Sequence, residues 1–264
     1  MSGMLATLIY NEQKNQVRWQ GYKLLEGAPF DSFMSDHVAA RLFDQEGLSD
    51  FEAHLRGLAV TDFAQDSLRQ ILSAEVEEER DWAVGEAIAE AWLSIKYNIV
   101  WPWNMERDKR TPKASLPGAD LVGFHVTNTQ TLLVLGEVKT SGENRYPPQV
   151  MSGRSGGIGH QIDKLATKPE LIATLLKWLW PRCKYTSFKP HFDSSVMTYF
   201  QSGNKAVSLY GVLIRDTDVN ELDLKGRGFS LGDSIVPPTT CNLIALYIPG
   251  TIADLPCKAK GGDA

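Results

Sequence analysis

The segment Leu132-Leu133-Val134-Leu135-Gly136-Glu137-Val138-Lys139 runs from uncharged, mostly apolar residues into an acid and a base two positions apart. Side chains of a strand alternate between its faces, so Glu137 and Lys139 project from the same one. A second apolar run, residues 119–126, precedes it across Thr127-Asn128-Thr129-Gln130. Asn128 suits a turn, although the favoured Asn-Gly pair is absent. A hairpin folded symmetrically about Asn128-Thr129 pairs Val126 with Thr131 and, carried back along both strands, Asp120 with Glu137. Directly opposed side chains sit roughly 4.5–5.5 Å apart at Cβ. The register therefore gathers two carboxylates and one ammonium on one patch of sheet. A slip of one residue would scatter them.

Two carboxylates that close repel, and in a half-buried place one is driven to protonate. A divalent cation removes that penalty. Mg²⁺ takes one or two carboxylates and completes its shell with water and substrate phosphate. The lysine beside it is then placed to orient a water or help deprotonate it. The competing reading is a plain salt bridge among Lys139, Asp120 and Glu137.

A third carboxylate comes from residues 73–97, which read as a helix with an acidic first turn. Its main apolar stripe is Val84, Ile88, Ala91, Trp92 and Ile95. Glu86 lies opposite, with Trp82, Ala89, Glu90 and Leu93 at helical spacing around it. A glutamate on a second apolar face needs a partner, and a metal qualifies. Glu90, one turn on, is the alternative.

The elements around these residues set the fold class. A short strand is expected near residues 5–10, helices over 36–43 and 50–72, and a short strand over 98–103. Residues 104–117 and 141–159 read as irregular, and 158–180 as helix broken or restarted at Pro169. Further strands are expected over 207–215 and 242–249. Helices before and after a hairpin, with more strands following, give an α/β fold with a mixed sheet flanked by helices.

Composition agrees. Of 264 residues, 43% are hydrophobic, enough for a substantial core. Cys183, Cys241 and Cys257 form no CxxC pair, which points away from a disulfide framework or a zinc site. The N-terminus lacks a basic segment with a long apolar run, and nothing reaches membrane-span length, so a cytoplasmic protein is expected. Net charge is −5, but it is unevenly spread. Residues 1–97 carry 8 Lys/Arg against 17 Asp/Glu, and residues 139–189 carry 9 against 3. A phosphate backbone senses that local excess, since screening limits the field to about 8–10 Å.

A helix glutamate, then Pro117-Gly118-Ala119-Asp120-Leu121-Val122-Gly123-Phe124, then Gly136-Glu137-Val138-Lys139-Thr140, resembles the PD-(D/E)XK nuclease superfamily. Asp120, Glu137 and Lys139 match its motif, and Glu86 matches its helix acid. Gln161, in Gly159-His160-Gln161-Ile162-Asp163-Lys164-Leu165, is similar to a glutamine that follows the lysine in several branches. Pro117 departs from the pattern, standing three residues before Asp120 rather than adjacent. The acidic N-terminal region, the helix 80–90 and the Gly/Ser-rich loop before Gly159 are more narrowly similar to the HamA family, nuclease effectors of bacterial Hachiman antiphage defence.

The resemblance implies a restriction-endonuclease-like fold over residues 73–264, with a helical N-terminal extension, residues 1–72, that docks a partner. It implies a Mg²⁺-dependent deoxyribonuclease, with Mn²⁺ as a substitute, and control by a HamB-like helicase subunit. Asp120, Glu137, the Val138 carbonyl and Glu86 would hold the metal. Lys139 would position the attacking water and Gln161 a phosphate or the lysine. Arg145, Arg154, Lys164 and Lys168 would neutralise DNA phosphates. The motif serves RNA cleavage equally well, and a nuclease-like fold can also act as a non-catalytic DNA-binding or docking subunit. His125 falls on the face opposite Asp120 and reads as a core or edge histidine. His160 adjoins Gln161 beside the Gly/Ser-rich loop, and contact with a phosphate is its lesser reading. The run Arg154-Ser155-Gly156-Gly157-Ile158-Gly159 lacks the lysine and serine or threonine of a P-loop.

Overall fold

The computed structural model describes residues 5–73, 81–108, 118–152 and 156–261. Its frame is a seven-stranded sheet in the order β1-β2-β7-β6-β5-β4-β3. The strands are β1 (Ala6–Lys14), β2 (Val17–Leu24), β3 (Ile99–Val100), β4 (Leu121–Val126), β5 (Thr131–Ser141), β6 (Val207–Arg215) and β7 (Thr240–Tyr247). Strands β2, β7, β6 and β5 run parallel, and antiparallel pairs close both edges. The sheet is mixed, as expected. Central β6 is buried at all its positions, and its near-continuous apolar run is what a strand covered on both faces requires.

Helices cover both faces. In chain order they are α1 (Ala28–Ser32), continued by a π-helical turn (Phe33–Val38) into α2 (Ala39–Leu42), then α3 (Gln45–Leu58), α4 (Asp62–Ser73), α5 (Asp81–Tyr97) and α6 (Met105–Asp108). The second half contributes α7 (Gln149–Ser152), α8 (Ile158–Thr167), α9 (Pro169–Cys183), α10 (Lys189–Gln201), α11 (Lys225–Ser234) and α12 (Leu255–Ala259). Close glycine packing identifies the two sides. A Cβ on Gly85 of α5 would meet Thr140 Cγ2 at 2.7 Å, so α5 lies on the Thr140 face. A Cβ on Gly211 would meet Ile158 Cγ2 at 2.6 Å, so α8 lies on the face shared by Gly211 and its register partner Glu137.

Several expectations change. The N-terminal segment is not only helical: residues 6–24 form a hairpin that joins the sheet through β7. The helix expected over 50–72 is two helices, broken between Leu58 and Asp62. The long helix begins at Asp81, and the acidic first turn expected before it lies outside the described residues. Helix α5 is buried almost all round from Ala83 to Leu93, while Ile95, placed on the core stripe, is 51% exposed. A helix in the middle of a fold has no solvent stripe to leave polar, so periodicity misjudges its faces. Short α6 falls where a loop is expected, and α10 was not anticipated. Pro169 opens α9 at a position where its missing N–H costs nothing. Among the described residues no helix is long and apolar enough to cross a membrane.

Candidate active site

The β4–β5 hairpin folds in the expected register, from Val126↔Thr131 to Leu121↔Gly136. Its turn closes with the Thr127 N–H donating to Gln130 O at 3.0 Å, and Asn128 and Thr129 lie at the tip. Strand β4 begins at Leu121, whereas β5 continues to Ser141 with β6 as its neighbour. Beyond Gly136, β5 therefore has an open side. Asp120 sits at that opening. Its N–H donates to Gly136 O at 2.9 Å, and its Oδ2 accepts the Val138 N–H at 2.9 Å. A side-chain carboxylate thus supplies the acceptor that a further residue of β4 would have offered, satisfying a main-chain donor otherwise left unmade.

Glu137 and Lys139 project from β5 beside it. Lys139 Nζ lies 2.5 Å from Glu137 Oε1 and 3.8 Å from Asp120 Oδ2. Burial, and then the charge of Asp120, push the Glu137 carboxyl up to about 7 in spite of the lysine. Burial alone would pull Lys139 down, but its hydrogen bond to Glu137 and the charges of Asp120, Glu137 and Glu86 outweigh it and raise the ammonium above its ordinary value. The structure therefore brings Asp120, Glu137 and Lys139 together.

Glu86 is 9% exposed on α5, next to the glycine that packs against Thr140. The helix covers the sheet face opposite Glu137, yet Glu86 is close enough to raise Lys139. Among the described residues no group of three or more His, Cys, Asp or Glu side chains stands at metal-holding spacing, so Glu86 does not close a three-acid cluster with Asp120 and Glu137. The alternative, Glu90, points elsewhere. It is fully buried against Arg41, whose Nε lies 2.6 Å from Glu90 Oε2. Arg41 also donates to Trp103 O at 2.5 Å. Those partners are 49 and 62 positions apart in sequence, and no local pattern announces them.

Gln161 lies in the first turn of α8, on the same side of the sheet as Glu137. Its N–H donates to Gly157 O, and its side chain is half-buried. His125 is half-buried on β4 and burial lowers its pKa, in keeping with an edge histidine that stays neutral. His160 is half-buried in α8. Among the basic residues expected to meet phosphate, Arg145 and Lys168 are exposed and Lys164 half-buried. Arg154 and Pro117 lie outside the described residues.

One feature was missed in the sequence. Arg215, at the end of β6 and in register with Ser141, is fully buried. Its Nε pairs with Asp223 Oδ2 at 3.2 Å, and its remaining nitrogens donate to the carbonyls of Ser141, Glu143 and Arg145 at 2.7, 2.9 and 3.2 Å. The signal was there in the form of a charge ending a strand otherwise free of charge. Comparison with protein-family models and with curated proteins found no match.

Proposed function

We propose that the protein is a metal-dependent deoxyribonuclease with a restriction-endonuclease-like core, the effector of a bacterial antiphage defence complex restrained by a HamB-like helicase. The observation that carries this reading is the meeting of Asp120, Glu137 and Lys139 at the open side of β5. A largely buried ion pair adds little stability for its desolvation cost, whereas two acids and a base gathered at the open side of one strand suit phosphodiester chemistry.

The donor set fits a hard cation. Its acids offer oxygen only, and the Glu137 carboxyl, held up to about 7, is relieved by any positive charge placed between it and Asp120. Asp120, Glu137, the Val138 carbonyl and Glu86, directly or through water, would hold Mg²⁺ or Mn²⁺. The cation supplies polarisation of the phosphoryl oxygen and a more acidic water. Asp120 braces the margin by accepting the Val138 N–H at Oδ2, and its other oxygen would be the one available to a cation. Lys139, beside both carboxylates, would orient the attacking water and face the phosphate as a donor. Gln161 and the exposed Arg145 and Lys168 position the DNA backbone.

The docking role of residues 1–72 narrows to α3 and α4, because β1 and β2 belong to the sheet. Helix α3 buries none of its residues, and Leu48, Phe51 and Leu58 are all at least half exposed along one stripe. Phe63 and Ile71 of α4 are also exposed, at 82% and 62%. Apolar side chains this concentrated suit a protein partner.

The test is incubation of supercoiled plasmid with the protein and Mg²⁺ or Mn²⁺, with and without the helicase. Cleavage is expected, and it is lost in the double variant Glu137→Ala, Lys139→Ala while folding and partner binding persist. Intact plasmid under all these conditions, or normal nicking by the double variant, overturns the proposal. Intact plasmid with retained duplex binding would instead leave the non-catalytic DNA-binding reading.

A further inference from the structure

Lys139 is followed, two residues on, by Ser141, whose carbonyl is the first of three held by the Arg215 guanidinium. The others, Glu143 and Arg145, lie in the loop that leaves the strand. A guanidinium carries five N–H donors in a fixed fork, and here four contacts are accounted for: one to Asp223 and three to main-chain carbonyls. An arginine kept only to neutralise Asp223 would not need three carbonyls from one short loop. The Tyr146 ring lies 5.6 Å from the same guanidinium. Tyr247 completes the other side: its hydroxyl oxygen lies 2.9 Å from Asp223 Oδ2 and 2.8 Å from Asn220 O, and its one proton serves either acceptor.

The main chain of this loop is held inward, and its polar side chains face out. Asn144 and Arg145 are both exposed. Ser141 lies about 7 Å along the strand from Lys139 at the usual rise per residue, and Arg215 holds the carbonyl of Arg145 on the same guanidinium as that of Ser141. Planar, rigid donors fix a loop where a flexible ammonium would not.

We infer that Arg215 is a positioning residue that fixes the 142–146 loop so that Arg145 meets a DNA phosphate beside the Asp120–Glu137–Lys139 site. The inference rests on the proposed nuclease reading only in taking DNA as the ligand. Preorganising the loop removes an ordering cost that the bound complex would otherwise carry. The role is then visible as affinity for duplex DNA.

The experiment is a binding cycle with the full chain in EDTA, using a fluorescent DNA duplex and anisotropy over a range of salt. Arg145→Ala is expected to raise Kd several-fold and to reduce the slope of log K against log salt by about 0.9, the value for one phosphate contact. Arg215→Lys is expected to reproduce both changes, and the double variant to be no worse than either single. A purely structural Arg215 gives wild-type affinity and slope per folded molecule and an additive double variant, which overturns the inference. Should Arg215→Lys fail to fold, Tyr247→Phe loosens Asp223 by one hydroxyl and must show the same non-additivity with Arg145→Ala. Absence of wild-type duplex binding also overturns it. Plasmid cleavage is scored separately: coupling without cleavage defeats the nuclease reading alone, and cleavage without coupling defeats this one alone.

Discussion

Asp120→Asn separates a metal site from a salt bridge. The amide keeps a carbonyl oxygen for the Val138 N–H but removes the negative charge beside Glu137. Glu137 titrates near 7 rather than 4.5, first because it is buried and second because Asp120 faces it. An acid raised in the folded state contributes most below its unfolded pKa and loses that contribution as pH rises through the folded value. The wild type should therefore carry a penalty that grows between about pH 4.5 and 7 and is constant above. If Asp120 accounts for about one unit of the rise, the variant regains ~1.4 kcal/mol at pH 8 and nothing at pH 4. For a chain of this size each kcal/mol moves Tm by about 2–4 °C. Lys139 keeps its closer partner, Glu137, so little is lost with the more distant Asp120. Mg²⁺ adds a second readout. At ten times its Kd a ligand stabilises by about 1.4 kcal/mol, and the variant should lose most of that. Melting curves at pH 4 and pH 8, with and without Mg²⁺, give all four numbers. A variant destabilised at pH 8 in EDTA, with an unchanged response to Mg²⁺, would refute the reasoning and restore the salt bridge.

Two other outcomes follow from the geometry. Arg41→Met removes the guanidinium held 2.6 Å from the fully buried Glu90 and should cost about 3–5 kcal/mol by urea denaturation. Cleavage per folded molecule should be unchanged, and its loss would return Glu90 to the catalytic set. Phe51→Asp with Phe63→Asp, both on exposed positions, should leave Tm within a few degrees and abolish co-purification with the helicase. A complex that survives would place docking elsewhere.

The hairpin was legible because everything that specifies it is local: two alternating runs, a four-residue connection and a register that puts charges at one end. Strand β6 and the restart at Pro169 were equally plain. What escaped was written in partners far apart. Strand β2 carries Arg18, Gln20 and Lys23 among its apolar residues, and it becomes a strand by pairing with β7, over two hundred positions later. Glu86 and Glu90 lie on the same buried helix and cannot be told apart by pattern. The Arg41 contact gives Glu90 a buried partner that no local pattern announces. Likewise, the open side of β5 depends on where β4 begins, which decides how Asp120 bonds and not merely where it sits.

The order of strands in the sheet also bears on how the protein emerges from the ribosome. Strand β5, carrying Glu137 and Lys139, can pair with β4 early, but its other neighbour is β6, and β6 in turn needs β7. The first hairpin, β1–β2, waits for β7 as well. Translation proceeds at about 5–20 residues per second, and long-range parallel pairing forms late. The proposed cutting edge is therefore braced only after residues 240–247 have been synthesised, about a hundred positions after Lys139. Nascent fragments stalled before that point would carry Asp120, Glu137 and Lys139 yet lack the parallel strands that align them, so the charged cluster matures only with the finished sheet.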